Sequence, residues 1–118
     1  MTNEFHLPFM ELPFVLGLIL LIVNVIFYFF PPKKINYLYG YRTSNSMRNQ
    51  ETWNFAQRYA AIRGLQGSVF LLAVSSLSAF FDIRPDVQIA IGVISILLFL
   101  IWIMYTTEKT IKTKFPKT

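Results

Sequence analysis

Apolar residues in this chain come in three long blocks, not at the spacing of a helix or strand with one wet face. Residues 12–30, LPFVLGLILLIVNVIFYFF, form the first block of 19 positions and carry no charge. At about 1.5 Å per residue a helix of this length covers roughly 28 Å, close to a hydrocarbon core of about 30 Å. Pro13 falls in the first turn, where its missing N–H costs nothing, and Pro31-Pro32 stop the helix. Residues 64–81 form a second block of 18, with Gln66, Ser75, Ser76 and Ser78 as polar insertions. The third, residues 87–105, is again 19 long and ends with Trp102 and Tyr105 placed like an aromatic belt. Residues 82–86 make a tight polar connection in which Pro85 or Asp86 opens the next helix. The pattern predicts an all-α integral membrane protein with three transmembrane helices, at about 12–30, 64–81 and 87–105.

Between the first two blocks lies the one long polar segment, residues 31–63. Tyr37, Tyr39 and Tyr41 alternate around Leu38 and Gly40, which suggests a short extended or turning piece at the membrane interface. Asn49 is the favoured N-cap of a helix with Glu51 in its first turn, where the dipole favours a carboxylate. From there Trp53, Ala56, Ala60, Gly64 and Ser68 recur at helical spacing, so the second membrane helix gains an amphipathic N-terminal extension. Ala56, Ala60, Gly64 and Ser68 form a small-residue stripe of period four, which allows close backbone approach in lipid and makes this the central packing helix. Asn24, the strongly polar residue of the first block, is expected to face another helix.

With 118 residues there is room for a single domain, 1–118, and 54% of them are hydrophobic. A soluble domain of this size has too thin a core to hide such runs. The net charge of +5 is therefore read through topology and not as a nucleic-acid signal. Lys33, Lys34, Arg42, Arg48, Arg58 and Arg63 lie between the first and second blocks. Lys109, Lys112, Lys114 and Lys117 lie in a basic tail from Glu108 to Thr118, Arg84 alone in the 82–86 turn, and none before the first block. The positive-inside rule then puts the loop and C-terminus in the cytoplasm and the N-terminus outside. Pro32-Lys33-Lys34 reads as a juxtamembrane clamp for anionic headgroups. Residues 1–11, with Glu4, Glu11 and His6, are acidic where a secretory signal is basic, so no cleavage is expected.

Catalysis finds little support. His6 is the single histidine and cysteine is absent, so neither a His-pair nor a thiolate metal site is expected, nor any cofactor. Ser44 and Ser46 have no histidine nearby to activate them. Asp82 and Asp86 stand at i and i+4, an arrangement that suits helix capping better than an acid pair. Asn24, Gln66 and the serines of the second block either line a polar path or hydrogen-bond between helices. Since no charged residue lies deep in a span, the second reading is favoured. Arg42 follows Gly40-Tyr41, a turn that presents its side chain. Its guanidinium either forks onto a lipid phosphate or peptide carboxylate, or pairs with Glu51 and holds the loop to the long helix. A lipid-headgroup enzyme with Arg42 on the phosphate would have Glu51 as its one well-placed base. Trp53 has an equally plain reading as an interfacial anchor.

The run Asn36-x-x-x-Gly40-x-Arg42-Thr43, followed by Ser46, Trp53 and Ala56, resembles the signature of the SdpI family, and the resemblance covers roughly residues 14–106. These are small bacterial membrane proteins named for an immunity protein against a secreted sporulation-delaying toxin. The resemblance implies a multispan helical protein of the cytoplasmic membrane. In the founding member, which looks longer by additional spans, it also implies two roles: protection from the toxin and sequestration of a repressor at the membrane. Carried over position by position, the motif is Asn36, Gly40, Arg42, Thr43, Ser46 and Trp53, with no catalytic residues to transfer. The expected function is non-enzymatic immunity or signalling, the loop binding a toxin peptide, a lipid headgroup or a cytoplasmic regulator. The alternative is a small transporter or channel subunit that forms homo-oligomers through the Ala56/Ala60/Gly64/Ser68 stripe.

Overall fold

A computed structural model describes residues 12–77 and 80–116. Glu4, His6, Glu11, Ser78 and Lys117, all weighed above, lie outside the described residues. Three helices follow one another: α1 (Leu12–Phe29), α2 (Gln50–Leu77) and α3 (Pro85–Lys114), with no strand among the described residues. Each boundary has a local cause. α1 ends before Pro31-Pro32, its last bond running from Phe30 N to Ile26 O at 2.7 Å. α2 starts at a reciprocal cap: Thr52 N donates to Asn49 Oδ1 at 2.9 Å, and Asn49 N donates to Thr52 Oγ1 at 3.1 Å. Asn49 is the cap that its position suggested. α3 opens with Pro85, and Asp86 accepts Val87 N at 2.9 Å while pairing with Arg84 at 2.6 Å. Asp86 is thus engaged within the first turn of α3, where the dipole favours a carboxylate, while the N-cap residue Arg84 makes no side-chain cap bond.

α2 and α3 are each long and apolar enough to cross a membrane, and α1 is a shorter apolar helix. Large aliphatic side chains such as Ile94, Leu98 and Ile101 of α3 are exposed, as on a surface that meets hydrocarbon. α2 is central, packing more extensively on α1 than on α3. Two of its glycines, three residues apart, face different neighbours. A Cβ on Gly64 would stand 2.0 Å from Asn24 Oδ1 of α1, and one on Gly67 would stand 2.1 Å from the Phe99 ring of α3. Asn24 is buried there, its Nδ2 donating to Leu20 O of its own helix at 2.8 Å. Ala56, Ala60, Gly64 and Ser68 are all buried within the single chain, so this stripe offers no open surface to a second copy.

Two expectations need correction. The basic tail read from Glu108 onward is not separate from the third helix, because α3 continues to Lys114, 30 residues or about 45 Å in all. Nothing in residues 106–114 breaks a helix, Lys112 and Lys114 suit its C-terminal dipole, and Thr107 and Ile111 are fully buried. Nor, among the described residues, do Ser76 and Gln66 hydrogen-bond to another helix, the reading favoured for the polar residues of this block; their bonds stay within α2. The Ser75 and Ser76 hydroxyls donate back to Leu71 O at 2.5 Å and Leu72 O at 2.8 Å, and Gln66 Oε1 accepts from Arg63 at 2.8 Å.

Candidate functional site

The loop between α1 and α2 folds into a polar head with the first turns of α2 and the last turns of α3. It begins with Asn36, whose Oδ1 accepts from both Leu38 N and Tyr39 N at 2.9 Å while its Nδ2 donates to Lys34 O at 2.9 Å. This side-chain turn leaves Tyr37 and Leu38 at the tip, 81% and 90% exposed. Tyr39 folds back instead, its hydroxyl donating to Phe30 O and its ring meeting Phe27 edge-on at 5.2 Å.

Gly40 comes next with φ of 103°, a left-handed conformation that side chains disfavour. Space forbids one as well: a Cβ would stand 2.5 Å from Gln57 Oε1 and 2.6 Å from Pro32 Cγ. The chain passes so close because Gln57, buried on α2, grips the main chain of Tyr41 on both sides. Its Oε1 accepts from Tyr41 N and its Nε2 donates to Tyr41 O, each at 2.7 Å. One turn earlier Trp53 is completely buried and donates Nε1 to Pro32 O at 2.8 Å. Trp53 is therefore an internal strut and not an interfacial anchor.

Beyond Tyr41 the loop presents donors at alternate positions, and all three reach one carboxylate on α3. Tyr41 OH and Thr43 Oγ1 donate to Glu108 Oε2 at 2.5 and 2.7 Å, and Asn45 Nδ2 donates to Oε1 at 2.8 Å. Thr43 and Ser46 lock the turn between them. Thr43 N donates to Ser46 Oγ at 2.8 Å and Ser46 N donates to Thr43 Oγ1 at 3.1 Å. The end of α3 is tied down further by Arg48, which donates to Phe115 O at 2.7 Å, and by Lys114, whose ammonium lies 4.7 Å from the Phe55 ring centre.

The electrostatics follow from these contacts. Burial by itself would raise the Glu108 carboxyl, yet donation from Tyr41, Asn45 and Thr43 and the nearby Lys112 outweigh it and leave it below the usual carboxylate value. Burial first, then the hydrogen bond to Glu108 and its charge, push the Tyr41 phenol well above its ordinary value. At neutral pH Tyr41 is thus a donor and Glu108 an acceptor, the chemistry of a clasp.

Of the six motif positions, Asn36, Gly40, Thr43, Ser46 and Trp53 are engaged in shaping the loop. Arg42 differs: its side chain is exposed and donates to Tyr37 O, not to Glu51. The reading in which Arg42 holds the loop through Glu51 is thereby set aside. Among the described residues no three His, Cys, Asp or Glu side chains gather as a metal site would require.

The sequence profile of the SdpI/YfhL protein family matches residues 33–106, which take in the whole motif loop and both long apolar helices up to Thr106. The chain belongs to the SdpI/YfhL family. It is 35% identical over 98 residues to the uncharacterized protein YfhL of Bacillus subtilis (strain 168), covering 81% of this chain and 82% of that relative. No solved structure matches it. Membership of this family and the two long apolar helices fit a membrane location.

Several residues of the head lie outside the six motif positions read from sequence, among them Tyr41, Asn45, Gln57 and Glu108. Glu108 lies beyond the matched stretch and sits among lysines, where it passes for part of a basic tail. It is the single carboxylate side chain after Asp86, but its donors Tyr41, Thr43 and Asn45 do not share one extended segment, because residues 44–47 form a turn, and nothing local marks their common partner. Gln57 follows Trp53 by one helical turn and thus shares its face.

Proposed function

We propose that this SdpI/YfhL-family chain is a non-enzymatic immunity or signalling protein of the bacterial cytoplasmic membrane. It spans the bilayer three times with its N-terminus outside, and the motif loop is the cytoplasmic binding element. The observation that carries the reading is the division of labour within the loop. Five motif residues hold a fixed shape, and what that shape displays is the Arg42 guanidinium beside the exposed Tyr37-Leu38 tip. A surface held rigid before binding loses little conformational entropy on binding. An aromatic and aliphatic tip next to a fork of N–H donors suits an amphipathic peptide that ends in, or carries, a carboxylate. The distribution of Lys and Arg, six in the loop and four in the tail against one in the 82–86 turn, supports the orientation.

The test is growth of cells with and without the protein under a panel of membrane-active peptides, with Arg42→Ala alongside. Arg42 holds nothing but one carbonyl, so this variant is expected to insert at normal levels. Selective protection by the native chain, lost in the variant, is the expected result. Full protection by Arg42→Ala removes the loop from the mechanism, and no protection by a correctly inserted native chain refutes the immunity role.

A further inference from the structure

On the side of α2 that meets α3, a groove of about 490 Å³ opens between the two helices. Gly67 forms its floor, where the absent side chain lets the Phe99 ring lie against the helix. Phe70 and Leu98, both largely exposed, form its walls with Ser95 between them in depth. Its upper end is of another character. Gln66 and Trp102 border it, and Arg63 stands over them, donating Nε to Tyr59 OH at 3.0 Å and Nη1 to Gln66 Oε1 at 2.8 Å. The guanidinium carbon lies 5.7 Å from the Trp102 ring centre, and Nη2 has no hydrogen-bond partner among the described residues.

Arg63 is the last charged residue of α2 before its apolar run, so the groove's mouth lies at headgroup depth and its walls at acyl depth. A fixed cation at headgroup level above a single apolar furrow is complementary to one class of molecule. We propose that the groove seats one anionic phospholipid from the leaflet on the loop's side. Its phosphodiester meets Arg63, and an acyl chain follows Phe70, Ser95 and Leu98. This lipid site is separate from the Arg42 surface and does not depend on the immunity reading.

The experiment is native mass spectrometry of the full-length protein in mild detergent, titrated with phosphatidylglycerol or with phosphatidylcholine of identical acyl chains. The native chain is expected to retain one phosphatidylglycerol in preference to phosphatidylcholine. Arg63→Gln removes the cation, Ser95→Phe fills the furrow without touching charge, and each is expected to weaken retention about fivefold. Arg63→Lys is expected to keep most of the preference. Arg58→Gln, which removes an exposed cation from the same helix outside the groove, is expected to change nothing. Helical circular dichroism and elution volume confirm the fold of each variant. Equal retention of the two lipids overturns the proposal, as does undiminished binding in Ser95→Phe or an equal loss in Arg58→Gln. A dimer that Ser95→Phe dissociates also overturns it, by showing that a second copy covers the groove.

Discussion

Glu108 gathers three donors onto one half-buried carboxylate, and that concentration makes its consequences measurable. Replacing it with alanine strands the Tyr41 hydroxyl, the Thr43 hydroxyl and the Asn45 amide at once. Hydrogen bonds to a charged partner contribute about 1.5–3 kcal/mol each and are not additive, so a loss of about 3 kcal/mol is expected for Glu108→Ala. Denaturation in micelles would measure it, and hydrogen exchange should locate the loosening at residues 41–47. Acid should act on the same contacts. The folded Glu108 carboxyl lies below its unfolded value of 4.5, so its contribution is present above that pH and is lost as pH falls through the lower, folded value. Loop protection should therefore stay level on acidification to the ordinary carboxylate range and decline only beneath it. In Glu108→Gln this acid limb should vanish. Gly40 is the other demanding residue of the loop. Its left-handed backbone was foreseeable from the turn, but its close approach to Gln57 and Pro32 was not, because neither neighbour is adjacent in sequence.

At the scale of the element, α2 carries two different interfaces on faces offset by three residues. Gly64 receives the side chain of Asn24 from α1, and Gly67 receives the ring of Phe99 from α3. The period-four stripe runs through Gly64 and so marks only the first of these contacts. Gly67 lies off that stripe, which is why the α3 contact was not legible in the spacing of small residues. A methyl group at Gly67 must displace an aromatic ring packed between helices. Gly67→Ala is accordingly expected to destabilise the fold by about 2 kcal/mol. Shrinking the ring with Phe99→Leu should recover part of that loss in a double-mutant cycle, whereas the same change at Asn24 should recover none.

The whole molecule reads as a membrane bundle with a polar head built from its middle and its end. α2 contributes its first two turns to the head and α3 its last two, so one end of the bundle is capped and the other carries the short 82–86 turn. This arrangement predicts sidedness. The chain has no cysteine, so single cysteines report cleanly. Leu38→Cys and Lys112→Cys should react with an impermeant reagent from the same side, and Ile83→Cys from the opposite side. Labelling of Leu38→Cys and Ile83→Cys from one side would refute the three-span topology.

The sequence by itself determined the three apolar blocks, the prolines and the Asn49 cap that bound the helices, the turn at Gly40 and the family motif. Each depends on neighbouring residues: transfer into hydrocarbon sums along a contiguous run, and caps and turns act over a few positions. What those residues do together was decided only by the tertiary structure. Tyr41, Thr43 and Asn45 meet Glu108 across 63 to 67 positions of chain, and Trp53 meets Pro32 across 21. Such pairings have no local preference to betray them. They exist because α2 and α3 run past the apolar runs and bring the loop and the last turns of α3 to the same end of the bundle. There a buried donor left without an acceptor would cost more than either residue's own conformational preference.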